Sequence, residues 1–213
     1  MLVVDAVDSV AEVLPALLTG RSHMADAGLS VTNSRREFLN FGYPYQNVDM
    51  HLVYRLGTGK PREIQDIIGR PIEVVADSSH AEMISALAEI YPGIEFSVNA
   101  DAEVADLLAK VADGRLDLTV ADSTEFNIQR HFYPDIRIAL DLELDDKLAW
   151  AFPKGYGDSL LARADDFLIR VERSGLLAQI QDRYYGHTET FDYGGTRNFI
   201  RHYENRLPRY RAL

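Results

Sequence analysis

The sequence contains no cysteine, which excludes disulfide bonds and thiolate metal sites and fits an oxidising compartment as well as the cytosol. It also lacks any apolar run near the roughly 18 to 20 residues of a membrane-spanning helix, and nothing near Met1 has the order of a secretory signal. Basic residues are scarce, because 22 Lys and Arg stand against 33 Asp and Glu, for a net charge of -11. Such a surface repels nucleic acids and anionic membranes, so we expect neither as a partner.

Motifs that carry catalytic chemistry are missing as well. The six histidines show no H-E-x-x-H or comparable spacing, so we expect no metal ion. No G-x-S-x-G turn, phosphate-binding loop or dinucleotide fingerprint occurs, so hydrolase, phosphoryl-transfer and redox activities lack a starting residue and no cofactor is expected.

Apolar periodicity predicts an α/β fold. Strands alternate with helices between residues 71 and 132, which is typical of parallel βαβ units. Ser79-His-Ala-Glu82 has the S-x-x-E form of a helix start that satisfies its own backbone donors. The predicted strands are 2–4, 24–27, 51–55, 71–76, 95–98, 116–121, 136–140 and 148–152, and the main predicted helices are 79–91, 104–111, 124–132, 159–173 and 176–185.

The strongest linker pattern is Gly57-Thr-Gly-Lys-Pro61, with two glycines and a proline in five residues. We place a lobe boundary there. The first lobe is then formed by residues 1–56 and 147–190, the second by residues 57–146, and residues 191–213 form a C-terminal extension. With 213 residues, of which 46% are hydrophobic, the chain can bury one sizeable core or two smaller ones.

Three segments could hold a ligand, because each follows a predicted strand, at the edge where open parallel sheets place their ligands. In the first, Gly28 allows close backbone approach, the Ser30 hydroxyl adds a donor, and Arg35 can grip a carboxylate with two parallel hydrogen bonds. An ordinary loop with Arg35 in solvent explains the same residues equally well.

The second segment runs through Ser78, Ser79 and His80, where free backbone N–H groups at a helix start could bind an anion, although Ser79 also suits a plain helix cap. The third is Asp122, which could pair with a ligand ammonium or simply cap the following helix. Taken alone, its position favours the cap.

All three segments match a family pattern. Gly28-Leu-Ser-Val-Thr-Asn-Ser-Arg35 followed by Phe41-Gly-Tyr-Pro-Tyr45 resembles the A-G-[LIM]-[ST]-x-T-x-x-R and F-S-x-P-Y signature of periplasmic amino-acid-binding proteins. Gly114-Arg-Leu-Asp-Leu-Thr-Val-Ala-Asp122 resembles their G-x-x-D-[AY]-x-[VI]-x-D segment. The resemblance implies a two-lobed periplasmic-binding-protein-like fold of type II.

The resemblance also implies roles for the candidate residues. The positions that match Gly28, Ser30 and Arg35 hold the α-carboxylate of the ligand in that family. Those that match Ser78, Ser79 and His80 add contacts from the second lobe, and the one that matches Asp122 binds the α-ammonium.

Further motifs resemble the non-catalytic module of the membrane-bound lytic murein transglycosylase F family. They include Ala121-Asp-Ser-Thr-Glu125, Leu148-Ala-Trp-Ala-Phe152 and Phe191-Asp-Tyr-Gly-Gly-Thr-Arg197. The resemblance implies a periplasmic sensor of an amino acid or peptidoglycan stem peptide, whose partner is a transglycosylase domain of a parent associated with the outer membrane. The alternative is the solute receptor of an amino-acid ABC importer, which has no use for the extension.

Two departures from the pattern stand out. The sequence starts at what resembles the second strand of the fold, so we expect a piece truncated at its N-terminus. Gly42 stands where the signature has serine, which prevents any transfer of side-chain selectivity.

We expect no catalysis by this chain. Related enzymes carry their catalytic glutamate in a Glu-Ser pair, which is absent here. Glu82 and Glu125 are the nearest substitutes, but each lies in a predicted first helical turn, where acidic residues are favoured electrostatically.

Overall fold

The computed structural model describes residues 3–7, 10–155 and 159–185. The chain divides into two compact units, Met1–Leu177 and Ala178–Leu213. In the second unit, the described residues form the end of a helix. The predicted extension 191–213 lies outside the described residues.

The first part of the chain holds α1 (Val10–Leu18), α2 (Asn33–Arg36) and the long strand β1 (Leu39–Arg55). A 3₁₀ turn at Ile64–Ile67 leads into alternating strands and helices: β2 (Ile72–Val75), α3 (Ser79–Ile90), β3 (Phe96–Asn99), α4 (Val104–Ala112), β4 (Leu118–Asp122) and α5 (Ser123–Gln129). The second long strand, β5 (Ile136–Pro153), is followed by α6 (Ser159–Arg173) and α7 (Leu176–Tyr185). The predicted α/β class is confirmed.

The strands form one five-stranded sheet in the order β3-β2-β4-β1-β5. The predicted parallel pairing is confirmed for β2 with β3 and with β4. By contrast, β1 runs antiparallel to both β4 and β5. Only the second half of β1, from Met50 to Tyr54, pairs with β4, whereas β1 and β5 pair along nearly their whole length.

Alternation along β1 explains the layering of the core. Leu52 and Tyr54 belong to one apolar cluster together with Ile84 of α3, whereas Val53 between them belongs to a second cluster together with Leu107 of α4. Successive side chains of a strand point to opposite faces, so one segment supplies both layers. A third cluster gathers Val13, Leu17, Ala25, Leu29, Leu39 and Ala151.

Several local predictions were wrong. Val3 and Val4 lie outside any strand and are exposed. Ala25 makes only an isolated bridge to Ala151, where a strand over residues 24–27 was predicted. The predicted strand 51–55 is the end of β1, and 136–140 and 148–152 are the two ends of β5.

Among the described residues, no helix combines the length and apolarity needed to cross a bilayer.

Candidate functional site

Arg35 is held in the interior by both predicted lobes. It lies on α2, which Thr32 caps by accepting a hydrogen bond from the Arg35 backbone N–H. Only 3% of Arg35 is exposed. Its Nη1 donates to the Ser30 carbonyl at 3.1 Å, and its Nη2 donates to the Asp77 carbonyl at 3.0 Å. The alternative of an arginine in solvent is therefore wrong.

Gly28 and Ser30 lie in the segment that precedes α2. Gly28 has a φ of +61°, in the left-handed region that favours glycine. Ser30 is buried and bridges to Leu148 of β5, while its hydroxyl accepts a hydrogen bond from Ser79 Oγ at 3.3 Å. The first segment is thus anchored to β5 and contacts the second segment directly.

The second segment begins with a sharp turn. Asp77 adopts a φ of 56°, and Ser78, rather than the predicted Ser79, caps α3 by accepting from the Ala81 N–H at 3.1 Å. Ser78 Oγ also donates to the Val75 carbonyl, so this hydroxyl serves the turn itself. Ser79 is thereby left to contact Ser30.

Glu82 does not close the predicted S-x-x-E box but reaches the first segment. Its Oε2 accepts from Ser34 Oγ at 2.8 Å and its Oε1 accepts from Thr32 Oγ1 at 3.5 Å. The same Oε1 lies 3.8 Å from Arg35 Nε. Sequence reasoning missed this role, because helical spacing cannot show that α3 starts opposite α2.

His80 links the second segment to the third. The ring is buried, and its Nε2 lies 3.3 Å from Asp122 Oδ1. Asp122 ends β4 and is the N-cap of α5, so the predicted capping role is confirmed together with this contact. Its backbone N–H donates to Glu125 Oε2 at 3.4 Å. Glu125 thus lies in the first turn, as predicted.

Burial and charge shift the pKa values in this cluster. Burial lowers the pKa of Arg35 and outweighs the attraction of Glu82, Asp146 and Asp77. Burial also disfavours a charged His80, but the hydrogen bond to Asp122 and the charges of Asp122 and Glu125 outweigh burial and raise the pKa of His80.

Glu125 carries the largest consequence of this crowding. Burial, together with the negative charge of Asp122, raises the pKa of Glu125 to about 7, although His80 acts in the opposite direction. Glu125 therefore exchanges its proton near neutral pH, which its position in a first helical turn did not indicate.

His80, Asp122 and Glu125 each offer one ligand atom, and these atoms lie within 4.8 Å of one another. Among the described residues, these three form a group that could hold a metal ion. A ligand ammonium suits the same atoms, since carboxylate oxygens accept from it. The histidine spacing in the sequence gave no hint of this cluster, because His80 meets the carboxylates through the fold.

The predicted residues come together in a chain of contacts. Arg35 bonds to the Ser30 carbonyl, the Ser30 hydroxyl accepts from Ser79, and His80 next to Ser79 contacts Asp122. The positive charge of Arg35 opposes the net rise in the pKa of His80, so the two ends of the cluster act on each other electrostatically.

Relatives of known sequence match most of the chain. Membrane-bound lytic murein transglycosylase F of Pseudomonas fluorescens is 38% identical over 187 residues, which cover 88% of this chain and 38% of the relative. The protein of the same name from Aeromonas salmonicida is 37% identical over 212 residues, which cover 100% of this chain and 42% of the relative. The chain thus spans about two fifths of the length of these relatives.

Solved structures share the fold. An ancestral arginine-binding protein bound to arginine superposes with a TM-score of 0.73 at 20% identity, covering 81% of this chain and 76% of that chain. A putative L-cystine ABC transporter protein from Listeria monocytogenes gives 0.75 at 16% identity, covering 84% and 76%. The two-lobed fold of type II expected from the motifs is thereby confirmed.

The family model for bacterial extracellular solute-binding proteins, family 3, matches residues 3–187. The matched region includes all the candidate residues and every described strand and helix. The chain belongs to the bacterial extracellular solute-binding proteins, family 3.

Proposed function

We propose that this chain is a ligand-binding regulatory module of a peptidoglycan lytic transglycosylase. Its two lobes, residues 1–56 with 147–190 and residues 57–146, close on an amino acid or the stem of a muropeptide. The observation that carries this proposal is the contact chain that joins Arg35 of one lobe to Asp122 of the other through Ser30, Ser79 and His80.

The chemistry of the two ends suits a zwitterion. Arg35 is a buried cation with donors in a fixed fork, which matches a carboxylate. Asp122 is a partly buried carboxylate with Glu125 beside it. The oxygens of these groups can accept hydrogen bonds from an ammonium group, and their negative charge attracts it. Gly28, Ser30 and Ser79 add polar groups between them, so ligand contacts come from both lobes.

Closure can transmit a response only if the ligand binds the closed arrangement more tightly than the open one. We infer that residues 191–213 connect this closure to a transglycosylase domain of the parent chain, in the periplasm. The similarity to transglycosylase F proteins supports this assignment. Catalysis belongs to that other domain, since the family matched by residues 3–187 is one of solute-binding proteins.

The alternative is the solute receptor of an amino-acid ABC importer, which the fold of the L-cystine transporter protein favours. Both functions use the same cleft. They differ in what closure acts upon, so glycan cleavage by the full-length parent, measured with and without the bound amino acid, separates them. A rate of glycan cleavage that changes when the ligand binds supports the regulatory module. A rate that stays the same with the ligand bound supports the receptor.

Isothermal titration calorimetry with common L-amino acids and short stem peptides tests the site. Arg35→Ala and Asp122→Ala should each weaken binding by about 2 to 5 kcal/mol, because each leaves an opposite charge buried without its partner. Arg36→Ala and Asp135→Ala serve as matched controls, since both residues are exposed and lie outside the cluster. Titration in EDTA should leave the affinity unchanged if an ammonium rather than a metal ion occupies the acidic end. Unchanged affinity in both cleft variants would remove the assignment.

A further inference from the structure

Glu82 has a position in the cleft that the ligand-binding roles do not use. We propose that the Glu82 carboxylate is an internal competitor of the ligand, which takes the place of the ligand carboxylate beside Arg35 and holds the ligand-free lobes together. The inference rests on the proposed function and adds the regulation of the same site.

The contacts of Glu82 are those of a bound carboxylate. Both of its oxygens are engaged by the segment that begins α2: Oε2 by the Ser34 hydroxyl at 2.8 Å, and Oε1 by the Thr32 hydroxyl at 3.5 Å with Arg35 Nε at 3.8 Å. The two hydroxyls and the guanidinium approach from one lobe, whereas Glu82 is fixed to α3 in the other. A carboxylate from solution would meet the same donors.

The donors of Arg35 are already largely committed. Nη1 and Nη2 bond to the carbonyls of Ser30 and Asp77, and the Nε edge faces Glu82. Nη1 and Nη2 each keep a second N–H, so a ligand carboxylate that binds side-on through Nε and Nη2 meets Glu82 at the Nε edge and must displace it. Glu82 is the partner that can leave, because 41% of its side chain is exposed and water can solvate it once it has moved.

This arrangement predicts an effect of opposite sign to that of a ligand-binding residue. Removing a group that contacts the ligand weakens binding, whereas removing a competitor strengthens it. The contact is partly exposed, so we expect a modest gain in affinity, about threefold to tenfold, when the Glu82 charge is removed.

The experiment titrates common L-amino acids and short stem peptides into the wild-type chain, Glu82→Gln, Ser34→Ala and the double variant. Glu82→Gln keeps the shape of the side chain, and Ser34→Ala removes the shortest contact of the same carboxylate from the other lobe. Glu82→Gln should bind more tightly than the wild type. Ser34→Ala should gain less or nothing, because the Ser34 hydroxyl would also donate to a ligand carboxylate that takes the place of Glu82. The double variant should gain little more than Glu82→Gln alone, because both changes break one interaction. Glu89 is exposed on the same helix, and Glu89→Gln removes the same charge, so this control variant should leave affinity unchanged.

The outcomes separate the two proposals. If the wild-type chain binds an amino acid and Glu82→Gln binds it equally or more weakly, the competitor role is refuted while the binding function stands. If only the variants bind, the competitor role is supported in its strongest form. If neither the wild type nor any variant binds, the proposed function fails and the role of Glu82 fails with it. Unfolding curves of each variant identify any that does not fold.

Discussion

Glu125 provides the sharpest test of the electrostatics at the candidate site. Burial and the charge of Asp122 raise its pKa from 4.5 to about 7, so the folded chain keeps a proton there that the unfolded chain loses at lower pH. Between these two values the folded state binds more protons than the unfolded state, and stability falls as the pH rises. Replacing Glu125 by Gln removes this contribution.

The magnitude follows from the two pKa values. A carboxyl whose pKa moves from 4.5 to about 7 costs on the order of 3 kcal/mol when it is ionised in the folded state. Because Glu125 is only partly buried, we expect the observed gain to be smaller, about 1 to 2 kcal/mol. Gln keeps the acceptor for the Asp122 N–H, so local structure should persist.

Urea unfolding at pH 5 and at pH 8 measures the effect. Glu125→Gln should exceed the wild-type free energy of unfolding only slightly at pH 5 and clearly at pH 8, with the difference developing between pH 4.5 and about 7. Glu89→Gln controls for the loss of one negative charge. A difference that is the same at both pH values, or one that favours the wild type at pH 8, would refute the placement of Glu125 beside Asp122 and His80.

Two further predictions concern residues of the family signatures that support the fold. A Cβ at Gly42 would lie 2.8 Å from Asp165 Oδ1, an oxygen that accepts from the Tyr43 N–H. The Asp165 side chain can move aside, so Gly42→Ser should cost about the worth of that hydrogen bond, about 0.5 to 1.5 kcal/mol in urea unfolding, and unchanged stability would contradict the contact. Arg70 donates through Nε and Nη2 to the two oxygens of Asp117, so Asp117→Asn should cost about 1 to 2 kcal/mol of stability yet leave ligand affinity unchanged, and a selective loss of affinity would instead place Asp117 in the site.

The helices and the parallel strands could be predicted because their patterns are local. The predicted helix 159–173 has the bounds of α6, and 176–185 has those of α7. Apolar residues at helical spacing bury one face, as Ala164 and Leu168 do in α6. Such spacing is present in the sequence before any tertiary contact forms.

The long strands could not be predicted, because pairing rather than propensity holds them together. The register between β1 and β5 shifts at several points between Phe41 and Val53. Each shift interrupts the two-residue alternation by which a strand is recognised. Residues 141–147, which lie between two predicted strands, extend β5 because β1 lies alongside them.

Within the site, Arg35 and Asp122 could be predicted from the sequence, whereas the roles of Glu82 and Glu125 beside them could not. Asp122 was found because polar residues after strands meet at one edge of a sheet. Arg35 was found through the chemistry of its segment and its likeness to a family signature, since the strand predicted before it is only an isolated bridge at Ala25. Glu82 and Glu125 lie in first helical turns, where an acidic residue has a sufficient local reason to occur. Only the packing of α3 against the α2 segment, and of His80 against Asp122, gives them a second role.

These two glutamates determine how a zwitterion would bind in the proposed cleft. At one end, Glu82 already supplies a carboxylate to Arg35, so an incoming carboxylate replaces an existing interaction and gains little net charge pairing. At the other end, Asp122 and Glu125 crowd two carboxyls against one imidazole, and an ammonium would relieve their repulsion. Most of the electrostatic gain on binding should therefore come from the ammonium, while the carboxylate mainly exchanges partners. The amino group of a ligand should therefore contribute most of the binding energy, and its carboxylate should determine whether Glu82 separates from Arg35.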